Sequence, residues 1–143
     1  MNGVETKQLL RNRNIRATAK KVAILRVIIE SAYPINAGEL HASLSGKMHV
    51  DLATIYRTLA AFKKSGIIRE INDTTGVQYV EIAGSNNPEH PHFKCMRCLK
   101  LYCLDNSVYD ETAALSQVDD EFVVHEISVM VSGICKECNR SGK

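Results

Sequence analysis

The stretch HPHFKCMRCLKLYC, from His90 to Cys103, carries more potential metal donors than any other part of the chain. Five of its fourteen side chains are histidine or cysteine. Its Cys95-x-x-Cys98 pair has a counterpart near the C-terminus, at Cys135-x-x-Cys138. Four thiolates from two such pairs form the ligand set of a closed tetrahedral zinc site. We therefore predict a structural zinc ion bound by Cys95, Cys98, Cys135 and Cys138.

The alternative for these cysteines is free or redox-active thiols, and the corresponding alternative for the chain is a zinc-dependent or thiol redox enzyme. A catalytic zinc keeps one position open for water or substrate, whereas four cysteines fill all four positions. The sequence also has no glycine-rich phosphate loop, nucleophile elbow or HExxH motif. We predict that the protein is not an enzyme.

Charge is distributed unevenly along the 143 residues. Residues 1–80 hold twelve Lys and Arg against six Asp and Glu, whereas residues 81–143 hold six against ten. A basic first half and an acidic second half predict that only the first half contacts a polyanion such as DNA.

The sequence predicts a cytoplasmic protein that has no membrane contact. No apolar run approaches the roughly 20 residues of a membrane span, and the N-terminus lacks the apolar core of a signal peptide. In a reducing cytosol the five cysteines serve as metal ligands rather than disulfide partners.

Three polar residues that commonly begin helices precede apolar segments of the first half, namely Thr18, Asn36 and Asp51. The side-chain oxygen of such a residue accepts a backbone N–H that would otherwise lack a partner in the first helical turn. A weaker amphipathic segment comes before them. The predicted helices cover residues 4–13, 19–30, 37–44 and 52–64.

Two alternating runs follow the helices, at residues 67–71 and 77–82. The residues between them, 72–76, are typical of turns, so the two runs predict a β-hairpin. Helices followed by a hairpin are the winged variant of the helix-turn-helix, in which the helix beginning after Asp51 enters the major groove.

This winged arrangement defines candidate DNA contacts on two helices. The exposed face of the last helix offers a methyl group, an aromatic ring and a guanidinium to base edges, and the start of the second helix offers cations to phosphates. The candidate DNA-binding residues are Arg16, Lys20, Lys21, Thr54, Tyr56 and Arg57.

The second half begins after residues 83–89, which lack periodicity and are predicted to be a hinge. Residues 90–143 are predicted to form a small α/β unit, near the lower size limit for a stable core. Its predicted elements are strands at 92–95 and 100–104, a helix at 108–118 capped by Ser107, and a long strand at 121–131 that includes His125. The predicted class is therefore α+β, with a winged helix-turn-helix domain (1–82), a hinge (83–89) and a small α/β domain (90–143).

The order of these motifs resembles the ferric uptake regulator (Fur) family over essentially the whole chain. The motifs are RATAKKVAIL at 16–25, ATIYRTL at 53–59, the HxHxxCxxC run beginning at His90, and the terminal CxxC. The resemblance implies a dimeric, metal-responsive bacterial repressor, with the small domain as its dimerisation domain. It also implies a palindromic, A/T-rich double-stranded DNA operator and a regulatory divalent metal, bound at the hinge, that sets the spacing of two recognition helices.

The same resemblance assigns candidate ligands for the regulatory metal. His90 and His92 match two hinge-site ligands, and Glu81 lies at or beside the carboxylate that the family contributes from the end of the wing. Cys103 stands where the family usually has Asp or Glu, and Tyr33 stands where many members place a hinge-site histidine. The accessory site of the family also lacks its usual histidine, which is replaced by Ile127, so this site is expected to be absent or rebuilt from Glu89, Asp110 or His125.

A donor set of His90, His92, Cys103 and Glu81 favours zinc over iron as the regulatory metal, because one thiolate and two imidazoles suit tetrahedral zinc. This set points to the zinc-sensing (Zur) branch and away from the peroxide-sensing branch, with an iron-sensing repressor as the alternative. Each of these residues also has an alternative role without metal binding. Cys103 could be a buried thiol, Glu81 a solvated wing residue, and the two histidines part of a solvated polar strand edge.

Overall fold

A computed structural model of the chain describes residues 2–142, which form two compact units. The first unit ends at Pro88 and the second begins at Glu89. Within residues 2–142, every helix is too short or too polar to cross a bilayer.

The first unit begins with four helices, each of which has the N-cap that its sequence favours. Thr18 accepts the Lys21 N–H at 3.3 Å, and Asp51 accepts the Thr54 N–H at 2.8 Å. Asn36 forms a reciprocal capping box with Glu39. The three predicted caps are therefore confirmed. The helices are α1 (Gly3–Asn12), α2 (Ala19–Glu30), α3 (Ala37–Leu44) and α4 (Leu52–Lys64).

A three-stranded antiparallel sheet completes this unit, in the order β1-β3-β2. The predicted hairpin is present, with a turn closed by Asp73, whose carboxylate accepts the Val77 N–H at 2.9 Å, and by Gly76 at φ +88°. Strand β1 has only two residues and was not predicted. The strands are β1 (Ile35–Asn36), β2 (Ile68–Asn72) and β3 (Gln78–Ile82).

The core of the first unit lies between the helices and one face of this sheet. Ile55 and Phe62, on the predicted inner stripe of α4, are fully buried, and Leu59 is partly buried beside them. They pack in one cluster with Ile24 of α2 and Val80 of β3. This packing fixes which face of α4 remains exposed.

The second unit is built on a smaller sheet with the order β5-β4-β6. Strand β4 pairs antiparallel with β5 and parallel with β6. Among the residues described in this unit, the buried apolar ones are Pro91, Cys95, Leu101 and Cys135. So small a core favours support from a metal. The elements are β4 (His92–Cys95), β5 (Leu101–Cys103), α5 (Glu111–Ser116), β6 (Met130–Gly133) and α6 (Lys136–Ser141), with a 3-10 turn at Asn106–Val108.

Two predictions for the second unit are wrong. Of the helix predicted at 108–118, the structure has only Glu111–Ser116. Asp110 is its N-cap and accepts the Ala113 N–H, whereas Asp105 accepts the Ser107 N–H and begins a separate 3-10 turn. Of the strand predicted at 121–131, only residues 130 and 131 belong to a strand, as the start of β6. Strand β4 offers partners to only four of its residues, so His125 lies on an exposed, irregular segment instead of a strand.

Candidate metal centres and nucleic-acid interface

The four cysteines of the two CxxC pairs converge in the second unit, at the ends of paired strands. Cys95 ends β4, and the following turn brings back Cys98. The parallel strand β6 leads to Cys135, which is the N-cap of α6, and to Cys138 in the first turn of that helix. Tertiary pairing of β4 with β6 therefore joins two motifs that are 37 residues apart between Cys98 and Cys135.

The geometry of this cluster suits a tetrahedral zinc ion. All four Sγ atoms lie within 4.8 Å of one another, and Cys98 Sγ is 3.9 Å from Cys135 Sγ. Sulfurs bound at about 2.3 Å to a tetrahedral zinc are about 3.8 Å apart. All five cysteines are outside disulfides. The residues therefore fit a structural zinc, which would offset half of the charge of the four thiolates and cross-link β4, β6 and α6.

Backbone donors prepare Cys95 for this role. Burial raises the pKa of its thiol, but N–H bonds from Cys135, Cys98 and Arg97 outweigh burial and lower the pKa overall. Each of these N···Sγ distances is 3.4 Å. A thiolate is the form of cysteine that binds metal, so the fold favours the ligating form before an ion arrives.

Tyr102 is a participant in this centre that the sequence did not reveal. Its hydroxyl bonds Cys135, and this bond is the main cause that lowers the pKa of the Cys135 thiol. By contrast, burial and the neighbouring Cys135 raise the pKa of Cys138 to about 12. No local pattern could have identified Tyr102, because its bond joins β5 to a residue 33 positions later in the chain, beyond β6.

A second group of donors lies on the same sheet of the second unit. His92 of β4 is directly opposite Cys103 of β5, and His90 precedes β4 with its ring centroid 4.6 Å from that of His92. Ligand atoms of these three residues lie within 4.8 Å of one another. His92 is buried and Cys103 is exposed. The alternative in which Cys103 is an ordinary buried thiol is therefore wrong.

The fourth candidate, Glu81, belongs to β3 of the first unit. Only 8% of it is exposed, and it forms an ion pair with Arg69 at 3.2 Å. Burial of an ionised carboxylate is costly unless it is paired, which Arg69 provides. The alternative in which Glu81 is a solvated residue of the hairpin is therefore wrong.

Helix α4 presents the candidate base-reading residues. Tyr56 is 57% exposed, Arg57 is exposed and Thr54 is half-buried. The hydrogen bonds that the Asp51 cap accepts from Thr54 lower the pKa of its carboxyl group, with Arg57 and Lys20 adding to the effect. Lys20 of α2 and Arg57 of α4 thus both stabilise the negative charge of Asp51 at the start of α4.

A cleft that the sequence did not predict precedes α4. It has a volume of about 370 Å³ and is lined by His41 of α3 and by Lys47, His49 and other residues of the loop that joins α3 to α4. No acidic residue lines it. His41 and His49 therefore line one cleft together with Lys47, just before the start of α4.

Comparison with known proteins shows where this combination of units occurs. The pattern of the ferric uptake regulator family matches residues 12–132. The peroxide-responsive repressor PerR of Staphylococcus epidermidis is 31% identical over 134 residues, which are 93% of this chain and 87% of that protein. The Vibrio cholerae ferric uptake regulator (Fur) is 25% identical with a TM-score of 0.73, covering 90% of this chain and 98% of that one. A zinc-bound manganese uptake regulator has the same fold, at 20% identity and a TM-score of 0.67, covering 89% of this chain and 97% of that one.

The fold and these relatives define a metal-responsive transcriptional regulator. The chain belongs to the ferric uptake regulator (Fur) family. Members of this family are DNA-binding dimers and are not enzymes, so the family, the fold class and the non-enzymatic nature predicted from the sequence are confirmed. The relatives are named for peroxide, iron and manganese, so membership of the family does not fix the regulatory metal.

Proposed function

We propose that this chain is a homodimeric repressor whose binding to a palindromic, A/T-rich operator is switched on by a regulatory zinc ion. The observation that carries the proposal is the group of His90, His92 and Cys103, which is separate from the four cysteines of the other centre. A structural role requires one metal centre only, so a second set of convergent donors supports a second, regulatory ion.

The regulatory ion is proposed to bind His90, His92 and Cys103, with Glu81 of the first unit as the fourth ligand. A thiolate and two imidazoles favour zinc over harder ions that prefer oxygen. Iron is the second candidate, because a solved relative with this fold is named a ferric uptake regulator. Tyr33, at the position of the missing hinge histidine, is 42% exposed and supplies no imidazole.

The switch follows from ligands that belong to both units. An ion that binds all four at once favours the arrangement in which the units are held together, and each chain of the dimer then presents its α4 at a fixed spacing. To move this arrangement from about 1% to 99% of the population, the ion must favour it by roughly 5.5 kcal/mol. Metal–ligand bonds in proteins supply energies of this order.

DNA recognition is proposed to divide between two sets of residues. Thr54, Tyr56 and Arg57 of α4 contact base edges in the major groove, which admits one helix. The cations at the start of α2 contact phosphates and carry no sequence information. These cations are Arg16, Lys20 and Lys21.

The proposal is tested by fluorescence anisotropy with a labelled palindromic, A/T-rich duplex. Protein that retains one structural zinc per chain, verified by elemental analysis, is titrated with Zn²⁺ or with Fe²⁺ under anaerobic conditions. We expect tight binding only when the second ion is present, at lower free concentration for zinc than for iron. Metal-independent DNA binding would contradict the switch, and a preference for Fe²⁺ would select the alternative.

Arg57→Ala and Lys20→Ala are expected to weaken DNA binding in different ways. Loss of Arg57 should cost roughly 1–3 kcal/mol for each half-site of the operator and little on a scrambled duplex, because each chain of the dimer loses a base contact. Loss of Lys20 should weaken both duplexes equally and reduce the slope of log K against log salt by roughly 1.8, because each of the two chains loses one phosphate contact worth about 0.9. Anisotropy titrations at several salt concentrations measure both effects. Lys64→Ala, at the opposite end of α4, is the matched control, and identical behaviour of all three variants would contradict this division.

A further inference from the structure

Arg69 and Glu81 form a cross-strand pair in the hairpin of the first unit. They stand opposite each other in the register of β2 and β3, so both side chains lie on one face of the sheet. Arg69 Nη1 donates to Glu81 Oε1 at 3.2 Å, and the two side chains are only 16% and 9% exposed. The pair is therefore shielded from the solvent that weakens most surface ion pairs.

The second arm of the same guanidinium bonds the segment that leaves the hairpin. Arg69 Nη2 donates to the backbone oxygen of Asn87. Asn87 in turn donates from Nδ2 to the Ile82 oxygen at 2.7 Å, and its N–H donates to the Gly84 oxygen at 3.0 Å. Residues 82–87 thus form a closed loop that Arg69 ties to the carboxylate at the end of β3.

We propose that Arg69 is a positioning residue for the regulatory metal, which holds the Glu81 carboxylate and the connecting loop in one fixed arrangement. The inference rests on the proposed function, because it takes Glu81 as a ligand. In this role Arg69 itself binds no metal. Its effect is transmitted through the orientation of Glu81 and of the loop that leads to His90.

Arginine suits this role for two physical reasons. Its planar fork donates to two acceptors in a fixed relative geometry, whereas lysine is a point charge on a flexible stem. An ionised carboxylate has about four lone-pair sites, so a bond to Arg69 leaves capacity for an ion. A ligand whose side chain is already held in place also loses less conformational entropy when the ion binds.

The first measurement is the zinc affinity of the regulatory site in Arg69→Met, determined by competition with a chromophoric chelator. We expect zinc binding there to weaken by roughly 10–100-fold, as is typical when a partner of a metal ligand is lost, while the structural zinc is retained. Lys63→Met is the matched control, since it removes the other ion pair of β2, Lys63–Glu70, with the same loss of charge. Arg69→Lys should fall between wild type and Arg69→Met, and it decides the question if the Met variant does not fold.

The second measurement needs no regulatory metal. Hydrogen exchange of the backbone amides at 84–87 should accelerate in metal-free Arg69→Met and remain unchanged in Lys63→Met. Unchanged or tighter zinc binding in Arg69→Met, or unchanged exchange at 84–87, would overturn the positioning role while wild type still responds to zinc. If wild type itself takes up no second ion, both the proposed function and this inference fail.

Discussion

Cys95→Ser is expected to release the structural zinc and to unfold the second unit. Cys95 is fully buried and accepts three backbone N–H bonds, so its sulfur is the most completely enclosed of the four ligands. Zinc bound by four thiolates contributes roughly 10–16 kcal/mol, which exceeds the whole stability of many domains. The few buried apolar side chains of this unit cannot compensate for that loss.

Elemental analysis should find the zinc content of purified Cys95→Ser reduced from one ion per chain to none. Hydrogen exchange should show that protection is lost across β4, β5 and β6 and kept in α2 and α4, whose core is separate. Cys103→Ser is the matched control, because it removes a thiol of the same sheet outside the four-cysteine cluster. A Cys95→Ser protein that retains protected strands without zinc would show that the ion is dispensable for folding.

His92→Ala is expected to abolish the metal response of DNA binding and to leave the structural zinc in place. His92 lies opposite Cys103 and close to His90, so its substitution removes the donor that contacts both of the others. If the ion raises the binding-competent population from about 1% to about 99%, its loss lowers the apparent operator affinity roughly 100-fold. Anisotropy titrations with and without zinc measure this ratio.

Because His92 is buried, His92→Asn is a useful second variant that keeps a polar side chain of smaller volume. His125→Ala is the matched control, since it removes an exposed histidine of the same unit that lies outside both donor groups. Operator binding by His92→Ala that still strengthens with zinc as in wild type would disprove the proposed ligand.

Local interactions made much of the first unit predictable. Three helices begin where the sequence indicated, after Thr18, Asn36 and Asp51. These starts were predictable because an N-cap bond spans only three residues. The hairpin was predictable for a similar reason, since Asp73 and Gly76 close its turn within a few residues. The zinc ligands of the two CxxC motifs could also be predicted, because ligand type and spacing are properties of the sequence.

Predictions failed where the outcome depended on a distant partner. The alternation at 121–131 is a property of one segment, whereas a strand requires another strand beside it, and β4 offered four positions only. The helix predicted at 108–118 starts only after Asp110, because Asp110 accepts the Ala113 N–H, whereas Asp105 accepts the Ser107 N–H and begins a separate 3-10 turn. Neither Tyr102 nor Arg69 stood out in the sequence, because each acts on a residue that only the tertiary structure places beside it, Cys135 and Glu81 respectively.

By itself, the sequence determined the helix starts, the hairpin turn, the identity of the metal donors and the basic character of the first half. These features depend on residue type and on spacings of a few positions. Tertiary structure decided which donors meet, since the pairing of β4 with β5 and β6 brings His92 opposite Cys103 and Cys95 close to Cys135. It also decided that Glu81 is buried against Arg69 rather than solvated. Strand pairing joins residues far apart in the chain, and no local pattern encodes that register when the strands are only three or four residues long.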